Sequence, residues 1–92
     1  MNLRLSPKWF TLADERTLEY LGQEGRASPS IIANDDRVLF VRQYINKRLV
    51  KLTNAGITAR VGRGFYELSD VGEGYLAGDV DLREMPDPDE ED

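Results

Sequence analysis

The chain has 92 residues, of which 40% are apolar, so it can form one modest hydrophobic core but not the cleft between two domains that many enzymes use. It contains no cysteine and no histidine, which excludes disulfide bonds, thiolate nucleophiles, Cys/His zinc sites and triads that need an imidazole base. The net charge of −5 by itself argues against a nucleic-acid partner, because such domains usually carry surplus positive charge.

The first two predicted elements are helices. Thr11 is a suitable N-cap for a helix over residues 12–24, and Asp14 supplies an acid at the third helical position. A second, short helix follows Ser28-Pro29, with the serine as cap and the proline in the first helical position. The polar run 34–36 ends it.

A third helix, a hairpin and a last helix follow. Residues 57–61 and 65–68 are short β-prone runs joined by Gly62-Arg63-Gly64, which predicts a hairpin. A short helix begins after Ser69 and ends at Gly78. The third helix is predicted to end at residues 54–56. It is predicted from apolar residues that recur at spacings of three and four: Val38, Val41, Ile45, Leu49 and Leu52.

The charge is distributed unevenly along the chain. Residues 79–92 hold eight acidic residues and one arginine, and such a segment is expected to be a disordered tail after a domain spanning residues 1–78. Residues 1–78 carry a net charge of +2, and the segment 37–66 has seven basic residues and no acidic one. An uncompensated basic segment indicates a polyanionic partner, although an ordinary solvated helix and hairpin is the simpler alternative.

Three helices followed by a two-stranded hairpin wing and a short C-terminal helix predict an α+β winged helix-turn-helix fold. In this fold one helix enters the major groove of DNA and the wing reaches the flanking backbone or minor groove. The outer face of the third helix has no acid, whereas a helix exposed only for solubility usually mixes Glu with Lys. We expect base recognition by Arg42, Gln43, Asn46 and Lys47, and contacts to the DNA backbone by Arg48, Lys51, Arg60 and Arg63.

The sequence resembles small haloarchaeal winged-helix proteins similar to the phage phi-H repressor. The resemblance covers about residues 9–82 and rests on residues 9–11, on Ser28-Pro29, on residues 44–52 and above all on the hairpin motif of residues 56–70. It implies a dimeric, DNA-binding transcriptional regulator from a salt-loving archaeon.

One segment departs from the pattern of that family. Residues 34–41 are longer and more apolar than the expected turn and contain no glycine. Leu39 and Phe40 are therefore expected to pack against the second helix or a partner subunit instead of contacting bases.

Two other classes of function compete with the DNA-binding interpretation. The first is a winged-helix module that binds a protein partner, with the acidic tail contacting basic partners or acting as a DNA mimic. In concentrated salt the same tail would instead hold water and keep the protein soluble.

The second class is an enzyme. It would need a carboxylate pair, and Asp35-Asp36 is more simply a solvated turn. We expect double-stranded DNA as the partner, repression as the activity, and no catalytic residue, cofactor or metal.

Two further expectations concern the location and the oligomeric state. The N-terminus lacks the apolar core of a signal peptide and no run approaches ~20 apolar residues, which predicts a soluble cytoplasmic protein. A homodimer is expected because one small recognition helix rarely suffices for affinity. Two groups of apolar residues are candidate dimer contacts or, equally, ordinary core: Leu3, Leu5, Trp9 and Phe10, and Tyr75, Leu76 and Leu82.

Overall fold

The computed structural model describes residues 4–90. In chain order the elements are α1 (Leu12–Glu24), α2 (Pro29–Ala33), α3 (Arg42–Asn54), β1 (Thr58–Val61), β2 (Phe65–Leu68) and α4 (Asp70–Ala77). The predicted order of three helices, a hairpin and a short last helix is confirmed. Within the described range, no helix has both the length and the apolar content needed to cross a membrane.

Side-chain caps set the start of three helices. Thr11 Oγ accepts a hydrogen bond from the Asp14 backbone at 3.4 Å, and the Asp14 carboxylate accepts one from the Thr11 backbone at 2.8 Å. This reciprocal pair is the predicted capping box of α1. Ser28 Oγ accepts from the third residue of α2, and Ser69 Oγ accepts from Gly72 in the first turn of α4. The local polar sequence therefore decides where these helices begin.

The start of α3 corrects the prediction that the apolar stripe is helical from Val38 onward. Val38 is fully buried but precedes the helix, and Val41 is the N-cap residue and 68% exposed. Between them Leu39 has a φ of 64°, a left-handed conformation that interrupts a right-handed helix. Phe40 packs against the core of its own chain and the ring of Tyr44, whereas Leu39 is exposed.

The core has two parts, and α1 and α3 contribute to both. The first lies between α1, α2, α3 and β2, and includes Ile45 and Leu49 of α3. The second includes Leu52 of α3, Leu18 of α1 and Tyr75 of α4. α3 thus packs directly against α1, α2 and β1, and its Leu52 shares the second part of the core with Tyr75 of α4. The opposite face of α3 is exposed to solvent.

The hairpin is antiparallel, with Val61 opposite Phe65 at its end. Gly62 and Gly64 have φ values of 60° and 76°, which residues with a Cβ rarely adopt, so this turn requires both glycines. Tyr66 is 5% exposed and lines the core, and its backbone pairs with Ala27 through two hydrogen bonds of 2.9 and 3.0 Å. The hairpin is thereby held against the segment between α1 and α2.

The acidic tail is not disordered over residues 79–90, contrary to the expectation from its composition. Leu82 is 3% exposed in the second part of the core, and its backbone N–H donates to Leu5 O at 2.9 Å. The indole of Trp9 donates to Met85 O at 3.2 Å. The apolar residues Val80, Leu82 and Met85, spaced among the acids, pack in this part of the core and help to hold the segment on the domain. The packed unit therefore extends beyond Gly78; residues 91 and 92 lie outside the described range.

The apolar residues considered as dimer contacts pack within one chain. Tyr75 and Leu82 are buried, and Trp9, Phe10 and Leu76 pack partly buried against the same part of the core. Leu3 lies outside the described residues. The alternative of ordinary core therefore holds for these five side chains.

One buried ion pair joins α1 to α3. Asp14 is fully buried and Arg48 is 9% exposed. Arg48 Nε donates to Asp14 Oδ1 at 2.8 Å, and Nη2 donates to Oδ2 at 2.6 Å and to Trp9 O at 3.2 Å. The hydrogen bonds that Arg48 donates to Asp14 raise the pKa of Arg48, so the guanidinium stays charged. Because the Asp14 carboxylate also caps α1, the pair fixes the start of α1 against the middle of α3.

Loss of one partner of this pair is expected to be strongly destabilising. Asp14→Ala should lower the free energy of unfolding by about 3–5 kcal/mol, because the Arg48 charge is left buried without its partner. Urea denaturation followed by circular dichroism measures the effect. Asp81→Ala, which removes an exposed ion pair with Arg83, is the control and should leave stability nearly unchanged. The combined replacement Asp14→Leu with Arg48→Met should cost less than the sum of the single changes; additive costs would contradict this account.

The left-handed conformation of Leu39 predicts a stabilising substitution. Leu39→Gly removes about 1–2 kcal/mol of strain due to the Cβ, but folding then costs about 0.5–1 kcal/mol more because glycine loses more conformational entropy. The free energy of unfolding measured by urea denaturation should therefore rise by about 0.5–1 kcal/mol. Leu39→Ala is the matched control, since it removes the leucine side chain but keeps the Cβ. Equal stability of the two variants would show that the backbone here is unstrained.

Candidate nucleic-acid interface

The outer face of α3 is polar and basic. Its first turn contains no acid, and its N-cap residue Val41 provides no side-chain hydrogen bond. The positive end of the helix dipole and the first backbone N–H groups therefore lie beside the Arg42 side chain. The four residues predicted to contact bases are all exposed on this face: Arg42, Gln43, Asn46 and Lys47.

The seven basic residues of segment 37–66 fall into two groups. Three have acidic partners: Arg37, Arg48 and Lys51. Within residues 4–90 the other four make no ion pair and no side-chain hydrogen bond: Arg42, Lys47, Arg60 and Arg63. All four are exposed, and they lie on the outer face of α3 and on the hairpin.

The hairpin continues the outer face of α3. Arg60 on β1 lines a shallow hollow of about 150 Å³ together with Val50 and Asn54 of α3. Arg63 is exposed at the hairpin tip between its two glycines. We call the exposed polar and basic set on α3 and the hairpin the basic surface: Arg42, Gln43, Asn46, Lys47, Arg60 and Arg63.

Arg48, which is predicted from the sequence to contact the DNA backbone, is instead buried and is not part of the basic surface. Its guanidinium is enclosed by Asp14 and the Trp9 carbonyl. The sequence contained the relevant signal, because Arg48 follows Ile45 by three residues and precedes Leu52 by four, which places it on their buried side. Its effect on any ligand of α3 is through the orientation of the helix.

Lys51, the second residue of α3 expected to contact the DNA backbone, is also largely buried. Its side chain is 12% exposed, with Nζ 2.9 Å from Asp87 Oδ1 and 3.3 Å from Asp89 Oδ2. The same ammonium group lies 5.2 Å from the centre of the Trp9 ring, a cation–π distance. The tail therefore neutralises the flank of α3, and a phosphate contact by Lys51 would require the tail carboxylates to move.

Arg37 stabilises the turn after α2. It binds Asp35 through two hydrogen bonds of 2.7 Å, from Nε and Nη2, and also contacts Glu24. The hydrogen bonds from Arg37 lower the pKa of Asp35 to about 2. Asp35 is therefore an ion-paired turn residue, and the structure gives no support to a catalytic role for Asp35-Asp36.

A helix-turn-helix of α2 and α3, followed by a hairpin with an arginine at its tip, defines the winged helix-turn-helix class of DNA-binding proteins. The family described as "Winged helix-turn-helix phage repressor" matches residues 1–88, and the chain belongs to this family. It is a family of DNA-binding regulators and not a class of enzymes. The match includes most of the acidic tail.

A solved structure supports the same assignment. The PhiH1 repressor-like protein from Haloarcula marismortui has a TM-score of 0.86 and 29% sequence identity, covering 92% of this chain and 97% of that chain. The resemblance and the fold expected from the sequence are thus confirmed. No curated protein sequence matches the chain.

The contact between the tail and α3 predicts a measurable shift in the pKa of one carboxyl group, that of Asp87. The hydrogen bond from Lys51 lowers the pKa of Asp87, so the ion pair persists through the usual carboxyl range and is lost only as the pH falls through this lowered pKa. NMR titration of the side-chain carboxyl carbon measures it. Lys51→Met should raise the pKa towards the ordinary value, whereas Lys47→Met, which removes an unpaired lysine of the same helix, should leave it low. An unshifted Asp87 in the wild type would show that the tail is not held on Lys51.

Proposed function

We propose that the protein is a sequence-specific repressor of transcription that places α3 in the major groove of double-stranded DNA and the hairpin wing on the flanking backbone. The observation that carries this proposal is the division of the basic residues. Within segment 37–66, the basic residues with acidic partners stabilise the fold, and those without such partners among residues 4–90 lie on the two elements that contact DNA in winged helix-turn-helix proteins.

The residue types of the basic surface suit the two kinds of DNA contact. Gln43 and Asn46 can each form a bidentate pair with adenine, and Arg42 and Lys47 can donate to guanine or to phosphate. Arg60 and Arg63 on the hairpin are assigned to phosphate contacts. Arg48 positions α3 through Asp14, and Lys51 is left out of the interface.

The docked tail favours DNA over a protein partner. If the tail acted as a DNA mimic, its carboxylates would occupy the basic surface. In the described part of the tail, residues 79–90, the carboxylates bind Lys51 and Arg83, and none pairs with the four basic residues of that surface. The surface that DNA would need is therefore open.

We further propose that the repressor binds as a homodimer in the cytoplasm of a salt-loving archaeon. The similar structure from Haloarcula marismortui supports the source. In concentrated salt, phosphate contacts contribute less affinity because counterion release is weakened. Base contacts, groove fit and two half-sites about one helical turn apart would then supply the affinity.

Selection from random duplex DNA, followed by fluorescence anisotropy, tests the proposal. Arg63→Ala should weaken binding to all sequences alike and reduce the slope of log K against log salt by about one unit. Lys47→Ala should weaken binding by about tenfold or more, with relaxed preference at one base pair if it contacts a base.

The control for both changes is Arg83→Ala. Arg83 is an exposed cation outside the basic surface and is paired with Asp81, so its loss should leave the affinity unchanged. Binding that is equally insensitive to Lys47→Ala and Arg63→Ala would overturn the proposed geometry. The absence of any DNA binding would overturn the function itself.

A further inference from the structure

An apolar side chain lies in the middle of the outer face of α3. Val50 is 45% exposed and belongs to neither part of the core. With about 100° of rotation per residue, it projects within about 20° of Gln43, close to the direction opposite the buried stripe. Its neighbours one turn away are polar or basic and include Asn46, Lys47 and Asn54.

Packing and helix stability do not account for Val50. A β-branched residue is a weaker helix former than lysine, glutamine or arginine, because it loses rotamer freedom against the preceding turn. At an exposed position it also leaves apolar surface in water. A long polar side chain would therefore serve the isolated helix better at this position.

The surroundings of Val50 indicate what kind of ligand would cover it. The hollow of about 150 Å³ beside Val50 is lined by Thr53, Asn54, Arg60 and the largely buried Tyr66. Arg60 is a cation without a partner within the described residues, and no acidic residue lines this hollow. An apolar contact flanked by an unpaired cation and polar amides fits a ligand that combines negative charge with a small apolar group.

The major groove of DNA contains one such apolar group, the 5-methyl of thymine. We propose that Val50 recognises a thymine by packing against this methyl group, with Arg60 available for a nearby phosphate. Val50 is then a specificity-determining residue for the operator. This inference rests on the proposed function, because it requires α3 to enter the major groove.

Replacing thymine by deoxyuridine tests the inference, because it removes only the methyl group. In the duplex obtained by selection, each thymine is replaced singly and the dissociation constant is measured by anisotropy at fixed salt. For the wild type, one position should show a loss of about fourfold, the effect of withdrawing one methyl group from contact. For Val50→Ala, thymine and uracil should bind equally at that position, with responses elsewhere unchanged.

The control is Leu12→Ala, which removes another exposed apolar side chain, 58% exposed, from α1 outside the helix-turn-helix. It should retain the fourfold discrimination. Val50→Ala replaces an exposed β-branched residue by a better helix former, so its circular dichroism melt should match or exceed that of the wild type.

The possible results separate the inference from the function on which it rests. If no thymine position responds to uracil, or if Val50→Ala keeps the wild-type response, Val50 does not contact a thymine methyl although DNA binding stands. If the wild type selects no sequence at all, the proposed function and this inference both fail.

Discussion

The buried contact between Asp14 and Arg48 is the constraint on which the rest of the structure depends. One carboxylate closes the capping box of α1 and also binds the guanidinium in the middle of α3, so the start of one helix and the rotation of the other are set together. The guanidinium in turn holds the Trp9 carbonyl and thus the segment before α1. Because the buried side of α3 is fixed in this way, its polar side must face outward, where a ligand can reach it.

The division of the basic residues into paired and unpaired groups explains why the net charge of this protein is misleading. Positive charges that stabilise the fold are matched locally by acids: Asp14, Asp35, Asp87 and Asp89. Among the basic residues of segment 37–66, those left without acidic partners in residues 4–90 lie on α3 and the hairpin. The excess of acid in the whole chain therefore coexists with a surface that suits a polyanion.

Local signals in the sequence predicted most of the fold. The capping residues Thr11, Ser28 and Ser69 and the paired glycines of the hairpin act within a few residues, so their effects could be recognised without knowledge of tertiary contacts. Two features depend on distant partners and were not predicted: Val38 is buried without being helical, and Leu82 holds the acidic tail on the core. Arg48 differs from both, because its charge predicts exposure although its spacing from Ile45 and Leu52 places it on the buried side of the helix. For the candidate site, residue type identified the exposed set on α3 and the hairpin but could not distinguish free cations from paired ones.

Trp9, the single tryptophan of the chain, lies where three segments meet. Its indole N–H binds Met85 of the tail, its ring faces the Lys51 ammonium, and its carbonyl binds Arg48 of α3. Detachment of the tail from α3 would change the polarity and charge around this one fluorophore. The protein thus contains its own optical reporter of the flank of α3, at a position where no label has to be introduced.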